Sequence, residues 1–107
     1  MTTAKAKARA SSSPATITAA GKEWTFKYSF NRLCELEIAL GKPAGKIVQE
    51  LGADASLISI RTMFATGMRD EEGKKPSDDE ASAAIEAIGF AKAAELLGAE
   101  MGKALSG

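Results

Sequence analysis

Residues 15–28, ATITAAGKEWTFKY, alternate with the period of a β-strand and so indicate that the fold contains β-structure. In its second half, Trp24, Phe26 and Tyr28 share one face, and polar residues fill the positions between them. Gly21 supplies a turn in the middle of the segment. The pattern therefore predicts a β-hairpin with one aromatic face.

The length of the hairpin loop determines which residues share that face. An even-numbered loop near Ala20-Gly21 or Gly21-Lys22 places Ile17 on the same side as Trp24. Since an isolated hairpin is marginal in water, we expect the aromatic face to pack on helices as core. A stacking platform for bases or a peptide is the alternative, although no basic stripe accompanies the aromatics. If the Trp24 strand has a free edge, that edge could accept a partner strand.

Helical signals fill the rest of the chain. Four runs of helical apolar spacing begin at residues typical of helix starts: Ser29, Pro43, Ser56 and the capping box Ser77 to Glu80. Most of these runs stop at glycine. The predicted helices are 30–40, 43–51, 57–68, 78–88 and 90–105. Two strands followed by five helices predict an α+β fold, an N-terminal β-hairpin packed on a bundle of about five short helices. The predicted core residues are Trp24, Phe26, Tyr28, Leu33, Leu40, Phe64, Ile85, Ile88 and Leu97.

Length and composition indicate one domain with a tail. The chain has 107 residues, which suits a single domain, placed at 15–107. Residues 1–14 (MTTAKAKARASSSP) hold three basic and no acidic residues, and no large apolar residue follows Met1. Such a segment buries too little surface to offset the entropy of ordering, so we expect a disordered basic tail.

The composition argues against a catalytic, metal or cofactor site and against nucleic-acid or membrane partners. The chain has one cysteine and no histidine, so it lacks the parts of a Ser-His-Asp or Cys-His catalytic site and of a zinc site. No phosphate-binding glycine motif is present, and we expect no enzyme activity, cofactor or metal. The net charge is zero, which argues against nucleic acid and anionic membranes as partners. No apolar run is long enough to span a bilayer, and a cytoplasmic protein is expected.

Two charges fall inside predicted apolar arcs. Glu37 lies among the apolar residues of the first helix, and Arg61 lies beside Leu57 and Phe64 on the third. Burying either charge alone would cost several kcal/mol, and pairing removes much of that penalty. We therefore predict a structural ion pair between Glu37 and Arg61. The alternative is that both side chains reach outward to solvent.

Some apolar residues fall outside the predicted arcs. Ile38, Ile58 and Leu96 are displaced from the apolar faces of their helices and are candidate contacts for a protein partner. Cys34, near the apolar face of the first helix, is interpreted as a small buried hydrophobe. On the last helix, Phe90 and Leu97 are assigned to the buried face.

Two short motifs follow the hairpin. One has the pattern F-x-F-x-x-x-x-L-C-x-L-E, with Tyr in place of the second Phe, and the other has the pattern R-x-x-F-x-x-G. The matching residues are Phe26, Tyr28, Leu33, Cys34, Leu36 and Glu37, then Arg61, Phe64 and Gly67. In these motifs and their order, the chain resembles the gene-transfer-agent and phage tail assembly proteins over roughly residues 23–98.

The resemblance implies a tail assembly chaperone. Such proteins bind the tape-measure protein, recruit tail-tube subunits and are usually absent from the finished particle. The family has also been labelled a tail tube protein, but tube walls are rich in β-structure and this chain offers one hairpin. A structural tail component is the second hypothesis, and a small regulatory or nucleic-acid-binding domain that uses the basic tail is the third.

Overall fold

The computed structural model describes residues 15–106, so the tail predicted at 1–14 lies outside the described residues. Strands β1 (Ala15–Ala19) and β2 (Lys22–Phe26) lead into three helices, α1 (Phe30–Leu40), α2 (Ala44–Leu51) and α3 (Leu57–Gly67). Strand β3 (Met68–Arg69) follows, and then helices α4 (Asp78–Ile88) and α5 (Phe90–Ser106). This arrangement confirms the predicted α+β class. None of the five helices in residues 15–106 combines the length and apolar character that crossing a bilayer requires.

The hairpin has the predicted register. Ile17 lies directly opposite Trp24, and Ala20-Gly21 form the two-residue loop. Both loop residues have positive φ, 53° at Ala20 and 73° at Gly21, as in the type I′ turn that matches the twist of a hairpin. The Trp24 indole N–H donates to the carbonyl of Ala19 at 3.0 Å, so the buried ring has its polar atom satisfied.

Ala20 is a strained residue in this turn, because a side chain with Cβ disfavours the left-handed region. Asparagine adopts that region more readily, so Ala20→Asn is expected to raise the free energy of unfolding by about 0.5–1 kcal/mol. Urea denaturation followed by circular dichroism would measure the change. Ala20→Val is the matched control and should move stability the other way. A loss of stability in Ala20→Asn would contradict the turn assignment.

The sheet has a third strand that the sequence pattern does not predict. The third helix was expected to continue through Met68, but the backbone becomes extended there and Met68 pairs with Phe26. Strand β3 therefore adds to β2 and gives the sheet order β1-β2-β3. Strand β3 pairs only with Thr25 and Phe26, so the predicted free edge of the Trp24 strand is closed at those two residues and has no strand partner at residues 22–24 within the described part of the chain. β1 is an outer strand as well.

Most of the predicted core is buried. Six of the nine predicted side chains are less than 5% exposed: Trp24, Phe26, Tyr28, Leu33, Phe64 and Leu97. Leu40, Ile85 and Ile88 are only partly buried and pack against this cluster. On α4 the reason is that Ala81 and Ala84 occupy the fully buried positions, which leaves the larger isoleucines at the flank.

Aromatic rings join the sheet to α3. Phe26 stacks on Phe64 with ring centroids 4.7 Å apart, and its ring meets Tyr28 edge to face at 5.8 Å. The Tyr28 hydroxyl donates to the carbonyl of Met63 on α3. Burial raises the pKa of the Tyr28 hydroxyl, so the group stays protonated and remains a donor.

The predicted helix starts are confirmed at three caps. Side chains of Ser29, Ser56 and Ser77 accept hydrogen bonds from the backbone of their first helical turns. At Ser77 the reciprocal bond from Glu80 completes the capping box. Local chemistry therefore places the starts of α1, α3 and α4 along the sequence, and tertiary packing then sets the orientation of these helices.

Candidate protein-binding site

The predicted ion pair between Glu37 and Arg61 is wrong. A carboxylate oxygen of Glu37 instead accepts from the backbone N–H of Ala44, at 2.6 Å. Arg61 reaches outward, as the alternative interpretation had it, with its guanidinium 3.6 Å from the carboxylate of Asp78. Each charged side chain contacts the start of a helix. Glu37 accepts from a backbone N–H in the first turn of α2 that has no partner within the helix, and Arg61 lies beside an acidic side chain in the first turn of α4.

The bond from Glu37 fixes the start of α2 against the end of α1. Removing it with Glu37→Ala should lower the free energy of unfolding by about 1 kcal/mol, as the loss of a helix N-cap does. Glu95→Ala, an exposed position on α5, is the control and should be close to neutral. Chemical denaturation of the two variants side by side checks this, and equal effects would show that the Glu37 bond adds nothing.

An apolar groove opens between α3 and α4. Its volume is about 250 Å³, and Phe90, the first residue of α5, also lines it. The residues that line it are Leu57, Ile58, Ile60, Arg61, Ser82, Ile85, Glu86 and Phe90. Ile60 is buried and Ile85 half-buried, whereas three large side chains stand in solvent, Leu57 at 71%, Ile58 at 69% and Phe90 at 49% exposure.

Two of these three exposed side chains are predicted from the sequence to be buried. Helical periodicity predicts Leu57 and Phe90 on the buried faces of their helices, but both are exposed. Each is the first residue of its helix, where the turn that would cover it is missing. Half of the six exposed large hydrophobic side chains in residues 15–106 thus line one groove. This concentration of exposed apolar side chains makes the groove the candidate contact surface within residues 15–106.

The three candidate partner contacts do not form one surface. Ile58 lines the groove between α3 and α4. Leu96 is half-buried and lines a separate shallow groove beside Ile17 and Ile88. Ile38, 84% exposed, lies on the outer side of α1 and lines neither groove. Only Ile58 is therefore retained as part of the candidate site.

Cys34 also lies differently from its assignment. Its place near the apolar face of the first helix predicts a small buried hydrophobe, but the Cys34 side chain is exposed. Leu33 and Leu36 take the buried positions of α1 instead.

The rim of the groove carries one charge of each sign. Arg61 stands on the α3 side, and its bridge to Asp78 joins two partly exposed side chains, a contact of small energetic value. Glu86 stands on the α4 side, is exposed and makes no ion pair with another residue of the described part of the chain. A polar rim around an apolar centre is the usual anatomy of a protein-binding surface.

A charged clasp holds α4, one wall of the groove, against the hairpin. The ammonium group of Lys22 lies 3.6 Å from Asp70 and 3.4 Å from Glu80. Glu80 raises the pKa of Lys22. Backbone N–H groups at Lys74 and Ser77, helped by Lys22, lower the pKa values of Asp70 and Glu80 respectively.

The clasp gives stability a defined pH dependence. Carboxylates with lowered pKa values stabilise the fold above their ordinary values, 3.8 for Asp70 and 4.5 for Glu80. That contribution is lost as the pH falls through the lower, folded values. Lys22→Gln removes part of the lowering, so its urea midpoint should fall less than that of the wild type between neutral and acid pH. Lys92→Gln, on the exposed side of α5, should keep the wild-type profile. Parallel profiles for Lys22→Gln and the wild type would contradict the clasp.

No cluster of three or more metal-ligating side chains occurs within residues 15–106. The buried side-chain nitrogen and oxygen atoms of that part of the chain all have hydrogen-bond partners.

In comparisons with known proteins, no family model, no curated protein and no solved structure matches the chain.

Proposed function

We propose that this protein is a tail assembly chaperone of a phage-like gene transfer agent or prophage, which works in the cytoplasm by reversible contact with tape-measure and tail-tube proteins. The observation that carries the proposal is the groove between α3 and α4, where Leu57, Ile58 and Phe90 stand exposed. Its chemistry is burial of apolar surface on a partner, with no covalent step.

The size of the groove favours a contact that forms and dissolves. Fully burying one such side chain contributes about 1.5–3 kcal/mol, and association itself costs at least about 4 kcal/mol. Three exposed side chains therefore support a transient complex better than a permanent one. A chaperone that leaves the assembled tail needs contacts of this strength.

Only the second motif of the resemblance reaches this groove, through Arg61. Phe64 and Gly67 are buried on the inner side of α3, against the aromatic face of the hairpin, and Arg61 lies at the groove rim. Residues of the second motif thus hold α3 in the position from which it presents Leu57 and Ile58. This placement supports a role for the motif in building a contact surface.

Co-expression with the tail genes encoded beside this protein tests the proposal. A tagged copy should retain the tape-measure or tail-tube protein, and Ile58→Asp should reduce the retained amount at least about tenfold. Ile38→Asp is the matched control, because Ile38 is also exposed but lies outside the groove. Retention of neither tail protein by the wild type would overturn the proposal.

The protein content of purified particles separates the chaperone from a structural tail component. A chaperone should be absent from finished particles or present far below one copy per tube subunit. A stoichiometric amount in the particle would assign the protein to the tail itself.

A further inference from the structure

Two arginine side chains are anchored at the end of α3. Arg32 Nη1 donates to the carbonyl of Gly67 at 3.1 Å and to a second carbonyl, between β2 and α1, at 2.7 Å. Arg69 Nη1 donates to the carbonyls of Thr66 and Met68 at 2.9 and 2.7 Å. Within residues 15–106, neither side chain donates a hydrogen bond through Nη2 or Nε. Each guanidinium group is therefore held through one nitrogen and keeps further donors for another group.

Lys75 adds a third cation, and Glu35 is the one carboxylate of residues 15–106 that contacts this cluster. Oε1 of Glu35 lies 3.6 Å from Nη2 of Arg69 and 3.3 Å from Nζ of Lys75. Burial lowers the pKa of Arg32, and the nearby charge of Arg69 lowers it further. The carbonyl oxygens that hold the two guanidinium groups carry only partial charges, so the cluster retains an excess of positive charge.

An anchored guanidinium group suits one class of ligand. Its planar fork of N–H donors matches the paired oxygens of a carboxylate or a phosphate. Because backbone carbonyls already hold Arg32 and Arg69, little side-chain entropy is lost when a ligand binds them. Lys75 is exposed on the loop before α4 and supplies a flexible charge.

We propose that Arg32, Arg69 and Lys75 form a binding site for an oxyanion, either a carboxylate or a phosphate group. The Glu35 carboxylate competes with this ligand, because it contacts two of the three cations in the free protein. Partly exposed charge pairs are weak and are screened by salt, so a dissociation constant on the order of 1 mM is expected for a single anion. None of these residues lines the groove between α3 and α4, so the site does not depend on the proposed tail function.

NMR of the arginine Nε–H groups in the full chain tests the site. Sodium phosphate and a peptide of four glutamates are titrated separately at constant ionic strength. The Arg32 and Arg69 signals should shift and saturate with at least one probe, and the probe that acts distinguishes a phosphate from a carboxylate ligand. Arg61 is the internal control, because it lies in the groove and its signal should stay in place. No saturable shift with either probe, or an equal shift of Arg61, would overturn the proposal.

Two substitutions of exposed side chains should move the affinity for the probe in opposite directions. Glu35→Gln removes the competing carboxylate and should tighten binding at least about tenfold. Lys75→Gln removes a cation and should weaken binding about threefold. Lys74→Gln is the matched control and should leave the affinity unchanged, because Lys74 is also exposed but pairs with Glu72. With the fold of each variant checked by circular dichroism, a Glu35→Gln variant that binds no tighter than the wild type, or a Lys75→Gln variant that binds no weaker, would contradict the assignment.

Discussion

Replacing Phe64 with alanine should lower the free energy of unfolding by about 3–5 kcal/mol. The Phe64 ring is fully buried and stacks on Phe26 with centroids 4.7 Å apart, so it links α3 to the sheet. Truncation removes the transfer free energy of the ring and leaves a cavity that the surrounding aromatics cannot collapse to fill. Thermal and urea denaturation would measure the loss.

Phe30→Ala makes the same chemical change at a site that is 76% exposed, which isolates the effect of burial. That variant should differ from the wild type by less than about 0.5 kcal/mol. Similar losses in the two variants would mean that Phe64 does not occupy the centre of the core.

Adding a single methyl group at Gly67 should destabilise the fold by about 1–3 kcal/mol. A Cβ at Gly67 would lie 2.7 Å from Cε1 of Phe26 and 2.9 Å from Cε2 of Tyr28. Both rings are buried, and the Tyr28 hydroxyl is bonded to Met63, so neither ring can move aside without breaking other contacts. Gly67 is therefore required by the close approach of α3 to the hairpin.

Gly98→Ala on α5 is the matched control for Gly67→Ala, because a Cβ built there meets no atom within 4 Å apart from its chain neighbours and the backbone of its own helix. In a helix, alanine is more favourable than glycine by about 0.8–1 kcal/mol, so this variant should gain stability. The two alanine variants should thus shift the unfolding midpoint in opposite directions. A stabilised Gly67→Ala would show that α3 does not pack closely on Phe26 and Tyr28.

Features with a local cause were predictable from the sequence. The register that sets Ile17 opposite Trp24 follows from the even-numbered loop. The start of α4 follows from the capping box at Ser77 and Glu80, which needs only four consecutive residues. Most of the aromatic core follows from alternation along the strand.

Features with a tertiary cause were not predictable. Strand β3 has two residues, too few to show an alternating pattern. It forms because Met68 pairs with Phe26, which is distant in the sequence. The partners of Glu37 and Arg61 depend on which helix starts lie nearby, which helical periodicity does not encode. The groove could not be predicted for the same reason. Helical periodicity assigns Leu57 to the apolar face of α3 and does not show that this residue is exposed.

Methyl NMR of the isoleucine side chains measures most directly whether the groove binds polypeptides. Ile58 lies in the groove and Ile38 lies on α1 outside it, and both are exposed in the free protein. On titration with the tape-measure protein, the Ile58 methyl signals should shift or broaden while those of Ile38 stay in place. Perturbation of Ile38 with an unchanged Ile58 would contradict the assignment of the groove as the binding surface.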